Sequence, residues 1–350
     1  MLSKGFKIIS PKTFEVDIDT IENHDDHAIV KIEYAAVCKA DLRYYLGNRD
    51  KRVLGMKYPM RLIHEATGIV LKDNAGRFNV GDRVILVPNI SNCDDCEFGL
   101  CNDEKLGENY CPKVKFASSN YDGFSCECIS FPSKNLVKCD DDKYDETIVF
   151  SELVSVSVAA IRRVSDMENK TIGVWGDGVL GYILAHTIKA MYPSTKVFCV
   201  GNNENKLKIF DVDGVYLAKS DLIENNKFDI AFECVGGESS GNAINQMIES
   251  VKFGGNIVLT GVSENGAVIN TRRILEKAVS ITGSTRSTVK DFEVAVNTIE
   301  NTKLAGDLEK LVLSVNEVRD ISDYYDIFER EKSTSLCRPY SGCLLAAISD

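Results

Sequence analysis

The spacing of hydrophobic positions changes near residue 151. Before it, apolar residues come in short runs at 28–36 (AIVKIEYAA), 68–71 (GIVL) and 83–87 (RVILV), separated by Gly, Asn and Asp clusters such as Gly81-Asp82. Short apolar runs punctuated by turn formers predict strands joined by long loops, and several in one stretch predict a barrel-like all-β domain. From 151 on, SELVSVSVAAIRRV (151–164) spaces its apolar residues as a helix does. Apolar strands then follow at 171–175, 196–200, 228–235, 256–260 and 279–282, with helical stretches between most of them, as at 179–191 and 241–251. That alternation predicts right-handed βαβ crossovers and a parallel sheet covered on both faces. After about residue 302 the pattern loosens and the chain is expected to return to the first domain. The expected division is 1–152, completed by 300–350, and 153–299, two domains being the natural prior for 350 residues.

The first strand of the second region runs into Gly176-Asp177-Gly178-Val179-Leu180-Gly181 and then a helix. This is G-x-G-x-x-G in the context that makes it specific for a dinucleotide. The first Gly permits a tight turn, the second lets the backbone approach the pyrophosphate, and the third allows helix and strand to pack closely. The helix N-terminus adds unpaired N–H groups and a positive dipole end. An NAD site usually ends its second strand on Asp or Glu, which accepts from the ribose 2′-hydroxyl. Here KVFCV (196–200) is followed by Gly201-Asn202-Asn203-Glu204-Asn205-Lys206. The missing acid and the nearby Lys206 favour NADP over NAD, the alternative being that Glu204 serves NAD. Gly201, Asn202 and Lys206 are candidate cofactor residues.

A net charge of −11 and a pI near 5.1 argue against a nucleic-acid or anionic-membrane surface. Residues 1–10 carry no apolar secretion segment, and no run approaches the roughly 18 apolar residues of a membrane span. A cytosolic protein is expected, in which twelve cysteines serve as thiols or metal ligands before disulfides.

Cys38-Lys39-Ala40-Asp41 and Ile63-His64-Glu65-Ala66-Thr67-Gly68 lie upstream of the nucleotide fold. With these motifs the chain resembles the zinc-dependent medium-chain alcohol and polyol dehydrogenases, which place one zinc ligand in C-x-x-D and another in H-E-x-x-G. The resemblance implies a GroES-like β-barrel catalytic domain beside a Rossmann domain. It implies a catalytic zinc at Cys38, His64, Glu65 and Glu152, the last in the place of the family's E-P-L glutamate. Zinc accepts thiolate, imidazole and carboxylate and keeps an exchangeable position when catalytic. Asp41 is expected to fix the His64 ring. Ala40 and Arg43 replace the family's relay Ser/Thr and His, so proton delivery falls to Glu152 or Glu65 with water. A second cluster, Cys93-x2-Cys96-x4-Cys101-x9-Cys111, stands where relatives carry a structural zinc lobe, with two longer gaps.

Segments 151–163, 173–182, 231–237, 243–248, 270–277 and 280–287 are similar to the ribulose-5-phosphate reductases, also called ribitol-5-phosphate 2-dehydrogenases. That likeness implies zinc- and NADPH-dependent reduction of ribulose 5-phosphate at C2. The product becomes CDP-ribitol for teichoic-acid or capsule polymers, through a cytidylyltransferase. A dimer or tetramer is common among relatives. Arg43 is the first candidate for the substrate phosphate, with Lys39 and Lys115 behind it. The alternatives are a sorbitol- or xylitol-type dehydrogenase and, more remotely, a non-catalytic nucleotide-binding protein. The tail 336–350 lacks the Gly-Lys turn that the resemblance leads one to expect before a final strand.

Overall fold

The computed structural model describes residues 1–91, 98–103, 105–221, 223, 228–333 and 338–344. The chain divides into two units, Met1–Glu152 with Thr288–Val296 and Leu308–Asp350, and Leu153–Ser287 with Asn297–Asp307.

In the first unit, β1 (Leu2–Ser10) and β2 (Thr13–Thr20) form a hairpin extended by β4 (Met60–Arg61). The strands β3 (His27–Ala36), β5 (Glu65–Asp73), β6 (Arg83–Leu86) and β10 (Leu136–Lys138) build a larger sheet in the order β10-β6-β5-β3, with β9 (Cys128–Pro132) also on β3. β7 (Asn89–Ile90) pairs with β8 (Lys115–Phe116). Alternate residues of β3, Ala28, Val30 and Ile32, are fully buried against Phe6, Ile8 and Phe131. Val30 and Ile32 each contribute roughly 1.5–3 kcal/mol relative to exposure, and the smaller Ala28 less. Gly68 is needed where β5 passes β3, since a Cβ there would lie 2.2 Å from Lys31 O. That gives the last position of H-E-x-x-G a packing reason. Two helices, α1 (Lys39–Tyr45) and α2 (Lys51–Lys57), interrupt the strands.

After α3 (Ser151–Ile161) the second unit alternates strand and helix. Its strands are β11 (Thr171–Trp175), β12 (Lys196–Gly201), β13 (Gly214–Leu217), β14 (Phe228–Glu233), β15 (Val251–Leu259) and β16 (Ser280–Gly283). Their helices include α4 (Val179–Met191), α5 (Glu204–Leu207), α6 (Ser240–Ser250) and α7 (Thr271–Lys277). The sheet is parallel in the order β13-β12-β11-β14-β15-β16. Strand order reverses at β11, and ligands of such sheets bind outside the carboxyl ends of the strands at that switch.

The chain then continues through α8 (Val289–Asn301) and α9 (Leu304–Glu309) to β17 (Val312–Val318), α10 (Ile321–Ser333) and β18 (Arg338–Leu344). β18 inserts between β3 and β17, antiparallel to one and parallel to the other. The tail therefore supplies a final strand, Arg338–Leu344, although its sequence has no Gly-Lys pair. Two flanking ladders satisfy its backbone whatever its side-chain pattern. Among the described residues no helix is long and apolar enough to cross a membrane.

Candidate functional site

Strand register explains why the two metal motifs meet. Ala36 at the end of β3 pairs with Glu65 at the start of β5. In an antiparallel ladder, the chain two residues beyond Ala36 therefore lies beside the chain just before Glu65. Cys38 comes from one side and His64 from the other, with Cys38 Sγ 3.4 Å from His64 Nε2. Glu65 Oε1 lies 3.9 Å from the same nitrogen. Ligand atoms of Cys38, His64 and Glu65 all fall within 4.8 Å of one another, and His64 and Glu65 are buried. Thiolate, imidazole and carboxylate in one buried pocket suit zinc, and three protein donors leave a coordination position open. Glu152 is buried in the first turn of α3 and is not part of this group.

The C-x-x-D spacing is a helix cap. Cys38 precedes α1 in extended conformation and its Sγ accepts from Ala40 N–H at 3.2 Å, while the Asp41 carboxylate returns to Cys38 N–H at 3.1 Å. Fully buried Asp41 also accepts from Ile63 N–H at 3.1 Å and from Ser118 Oγ–H at 2.6 Å. Its Oδ1 lies 3.5 Å from His64 Nδ1, which leaves Nε2 directed at Cys38. Ile63 and Ser118 both have left-handed backbone, φ 73° and 61°. A β-branched residue is rarely found there, so the surrounding contacts must hold the turn that presents His64.

Burial raises the Asp41 carboxyl, but His64 and the hydrogen bonds from Ser118 and Cys38 outweigh it and hold the group at about 2. Burial and then Asp41 push the Cys38 thiol up to about 11. Burial lowers His64, yet Cys38 and Asp41 together carry it well above its ordinary value. Without metal at neutral pH, Cys38 therefore keeps its proton, and Asp41 is the charged partner that favours the protonated form of His64.

Asp41→Asn should test the arrangement without changing its shape. An amide can accept Ile63 N–H and Ser118 Oγ–H, but its NH2 then faces Cys38 N–H and strands that donor. A buried donor left unmade costs about 1–3 kcal/mol, and exchanging the carboxylate partner of a ligating histidine for a neutral amide weakens metal about 10–100-fold. Thermal melts and chelator competition measure both effects. Unchanged zinc affinity would remove Asp41 from the role.

Around that pocket, Lys39 is tied to Glu331, with Nζ 2.9 Å from its carboxylate and 2.8 Å from its carbonyl oxygen. Lys115 is exposed and sits over the Tyr121 ring at 5.5 Å. Arg43 is half-buried on α1, whose buried positions are Asp41, Leu42, Tyr44 and Tyr45. Cys93 and Cys96 lie outside the described residues. Of their expected partners, Cys101 is half-buried and Cys111 buried.

The second unit carries a cleft of about 600 Å³ at the switch point, lined by the loops after β11, β12 and β14. Gly176, Gly178, Gly201, Asn202 and Lys206 line it, whereas Val179 and Leu180 open α4 without doing so. Gly176 has φ +133°, and a Cβ there would lie 2.8 Å from Cys234 O. A Cβ on Gly181 would lie 2.0 Å from Gly176 O, so the third glycine sets the closeness of helix and loop. A Cβ on Gly178 would meet nothing within 4 Å. That space is where a pyrophosphate would approach the backbone, and no side chain caps α4 there. Missed from sequence were Asp177 and Lys219, both in the lining, and the polar face that α6 turns to the cleft at Asn242 and Gln246.

The alcohol dehydrogenase GroES-like domain family matches residues 24–141, and the zinc-binding dehydrogenase family matches residues 180–301. The chain is 39% identical over 340 residues to ribulose-5-phosphate reductase 1 of Staphylococcus aureus, covering 96% of this chain and 97% of that protein. It is 37% identical over 340 residues to the ribulose-5-phosphate reductase of Bacillus spizizenii, again covering 96% and 97%. The crystal structure of S. aureus TarJ in complex with NADPH matches with TM-score 0.85 at 35% identity, covering 99% of this chain and 100% of that one.

Proposed function

The chain belongs to the zinc-dependent dehydrogenases, among the ribulose-5-phosphate reductases, and from that premise we propose that it reduces D-ribulose 5-phosphate to D-ribitol 5-phosphate with NADPH. The observation that carries the reading is likeness to these reductases across nearly the full length, at 34–39% identity to four of them. The buried Cys38, His64 and Glu65 set and the glycine-lined cleft support it with the donors and the cradle that such chemistry needs.

Zinc at Cys38, His64 and Glu65 would supply a Lewis acid toward the C2 ketone oxygen, and NADPH would supply the hydride. Asp41 orients the His64 ring. Glu152 or Glu65 carries the proton that the C2 oxygen takes up, since Ala40 and Arg43 cannot form the relay of other family members. Arg43 binds the substrate phosphate; Lys39, engaged by Glu331, is a weaker candidate than its position in sequence suggests. The backbone around Gly176, Gly178 and Gly181 binds the pyrophosphate, and Lys206 pairs with the adenosine 2′-phosphate. Cys93, Cys96, Cys101 and Cys111 hold a structural zinc. We place the enzyme in the cytoplasm as a dimer or tetramer, supplying a cytidylyltransferase on the way to teichoic-acid or capsule polymers.

The test is NADPH oxidation by the purified enzyme with ribulose 5-phosphate, against the unphosphorylated ketoses ribulose, fructose and xylulose. Ribulose 5-phosphate should exceed each unphosphorylated compound at least about a hundred-fold in kcat/KM, the worth of roughly two charge-assisted hydrogen bonds to phosphate. Comparable turnover of free ribulose, fructose or xylulose would transfer the assignment to the polyol dehydrogenases.

A further inference from the structure

The end of β12 lacks an acid in the sequence, yet a carboxylate stands there. A Cβ built on Gly201 would lie 2.6 Å from Asp177 Cβ and 2.7 Å from Asp177 Oδ2. The side chain between the first two glycines of the loop thus fills the volume that a strand-end side chain would take. Oδ2 accepts from the N–H groups of Asn202 and Asn203, each at 2.7 Å, which occupies both of its lone pairs. Oδ1 has Lys206 Nζ at 3.8 Å, too long for a hydrogen bond, and keeps acceptor capacity. Asp177, Gly201, Asn202 and Lys206 all line the nucleotide cleft.

We propose that Asp177 is a cofactor-selecting residue, reading the adenosine ribose together with Lys206. This rests on the cleft being the NADP(H) site. In the usual arrangement the strand-end acid accepts from the 2′-hydroxyl of NAD and repels a 2′-phosphate. Here the acid arrives from the preceding loop and is partly neutralised by two backbone donors and a lysine. Lys206 attracts the 2′-phosphate of NADPH, while Asp177 Oδ1 retains a grip on the free 2′-hydroxyl of NADH. The carboxylate therefore limits how strongly the site prefers NADPH. It also explains Gly201 without reference to the cofactor: any side chain at 201 would displace Asp177. Gly201→Asp is consequently a poor probe of cofactor choice, since it disrupts packing before it adds charge.

Asp177→Asn separates charge from packing. The amide oxygen can keep the bonds from Asn202 and Asn203, and the NH2 group replaces Oδ1 with a donor. The experiment measures Kd for NADPH and NADH by nucleotide fluorescence on the purified holoenzyme, with kcat/KM for each beside it. Asp177→Asn should tighten NADPH, weaken NADH and raise the ratio of their affinities about ten-fold or more, as for one hydrogen bond to a charged group gained or lost. Lys206→Ala should move the ratio the other way. Equal weakening of both nucleotides by Asp177→Asn would make Asp177 a packing residue, and no change in either would remove it from the site; each overturns the proposal. Tighter binding of NADH than NADPH by the wild type would instead overturn the NADPH assignment, while the direction of the Asp177→Asn shift would still test the selecting role.

Discussion

Replacing Cys38 should abolish ketose-phosphate reduction and leave nucleotide binding intact. Cys38 is the thiol of the three-donor group and also the cap of α1, so the substitution must be chosen to separate these roles. Cys38→Ala removes both; Cys38→Ser keeps an oxygen for Ala40 N–H but supplies no thiolate. The serine variant should melt close to the metal-free wild type while losing the catalytic metal, and the alanine variant should lose a further ~1 kcal/mol for the cap. Polarisation of a carbonyl by a metal is worth several kcal/mol, and each 1.36 kcal/mol is ten-fold in rate, so kcat should fall about a thousand-fold or more in both. NADPH fluorescence titration should give wild-type affinity, because the glycine loop belongs to the other unit. Metal analysis should find two zincs per wild-type chain and one in the serine variant, the remaining ion held by the cluster from Cys93 to Cys111. One zinc in the wild type and none in the variant would remove that cluster from metal binding; full activity without zinc would refute the catalytic site. Because burial holds the metal-free Cys38 thiol at about 11, zinc must displace its proton at neutral pH. Zinc affinity should therefore weaken as pH falls from 8 to 6, and zinc uptake in weak buffer should release acid.

Much of this arrangement was legible in the sequence because its constraints are local. The glycines of residues 176–181 are needed by backbone within a few residues, and the C-x-x-D motif is a cap closed by its own ends. The βαβ alternation survives in the pattern because the central parallel strands are buried on both faces, as at the adjacent Val174 and Trp175 of β11. β13 was missed for the opposite reason: as an edge strand it exposes Val215 and Leu217 and buries none of its four residues fully. β18 was unreadable because its place is fixed by pairing to β3 and β17, partners distant in sequence.

The site residues that escaped detection act through long-range contact. Ser118 reaches Asp41 across 77 positions, and nothing near Ser118 signals the pairing. Asp177 was visible as a letter inside the glycine motif, but its meaning depends on the register of β11 against β12, which sets Trp175 beside Val200. The signal that could have found it is the coincidence of a glycine at the strand end with an acid in the loop. One supplies the space and the other the charge. Glu152 shows the reverse case, in which family position suggested a ligand and the buried side chain stands outside the three-donor group.

Removing Arg43 should cost kcat/KM on ribulose 5-phosphate and little on ribulose. Arg43 follows Asp41 by two positions on α1, whose neighbouring Leu42, Tyr44 and Tyr45 are in the core, so the backbone that carries the guanidinium is pinned close to Cys38. In this position the family's usual histidine would pass protons. Arginine gives up that function and brings a permanent positive charge, an exchange that suits a substrate with a dianionic phosphate. Charge-assisted hydrogen bonds to phosphate are worth roughly 1.5–3 kcal/mol each, so Arg43→Ala should lower kcat/KM for ribulose 5-phosphate by about ten- to several-hundred-fold. Arg43→Lys should restore part of the loss, because an ammonium keeps the charge but not the two-pronged planar contact. Adding inorganic phosphate or phosphite with free ribulose gives a further discriminating measurement. Either anion should stimulate wild type more than Arg43→Ala, since it can occupy the phosphate position without being attached to the sugar. An equal loss on ribulose 5-phosphate and ribulose would make Arg43 a structural or proton-transfer residue, and the phosphate reader would then have to be sought on another element.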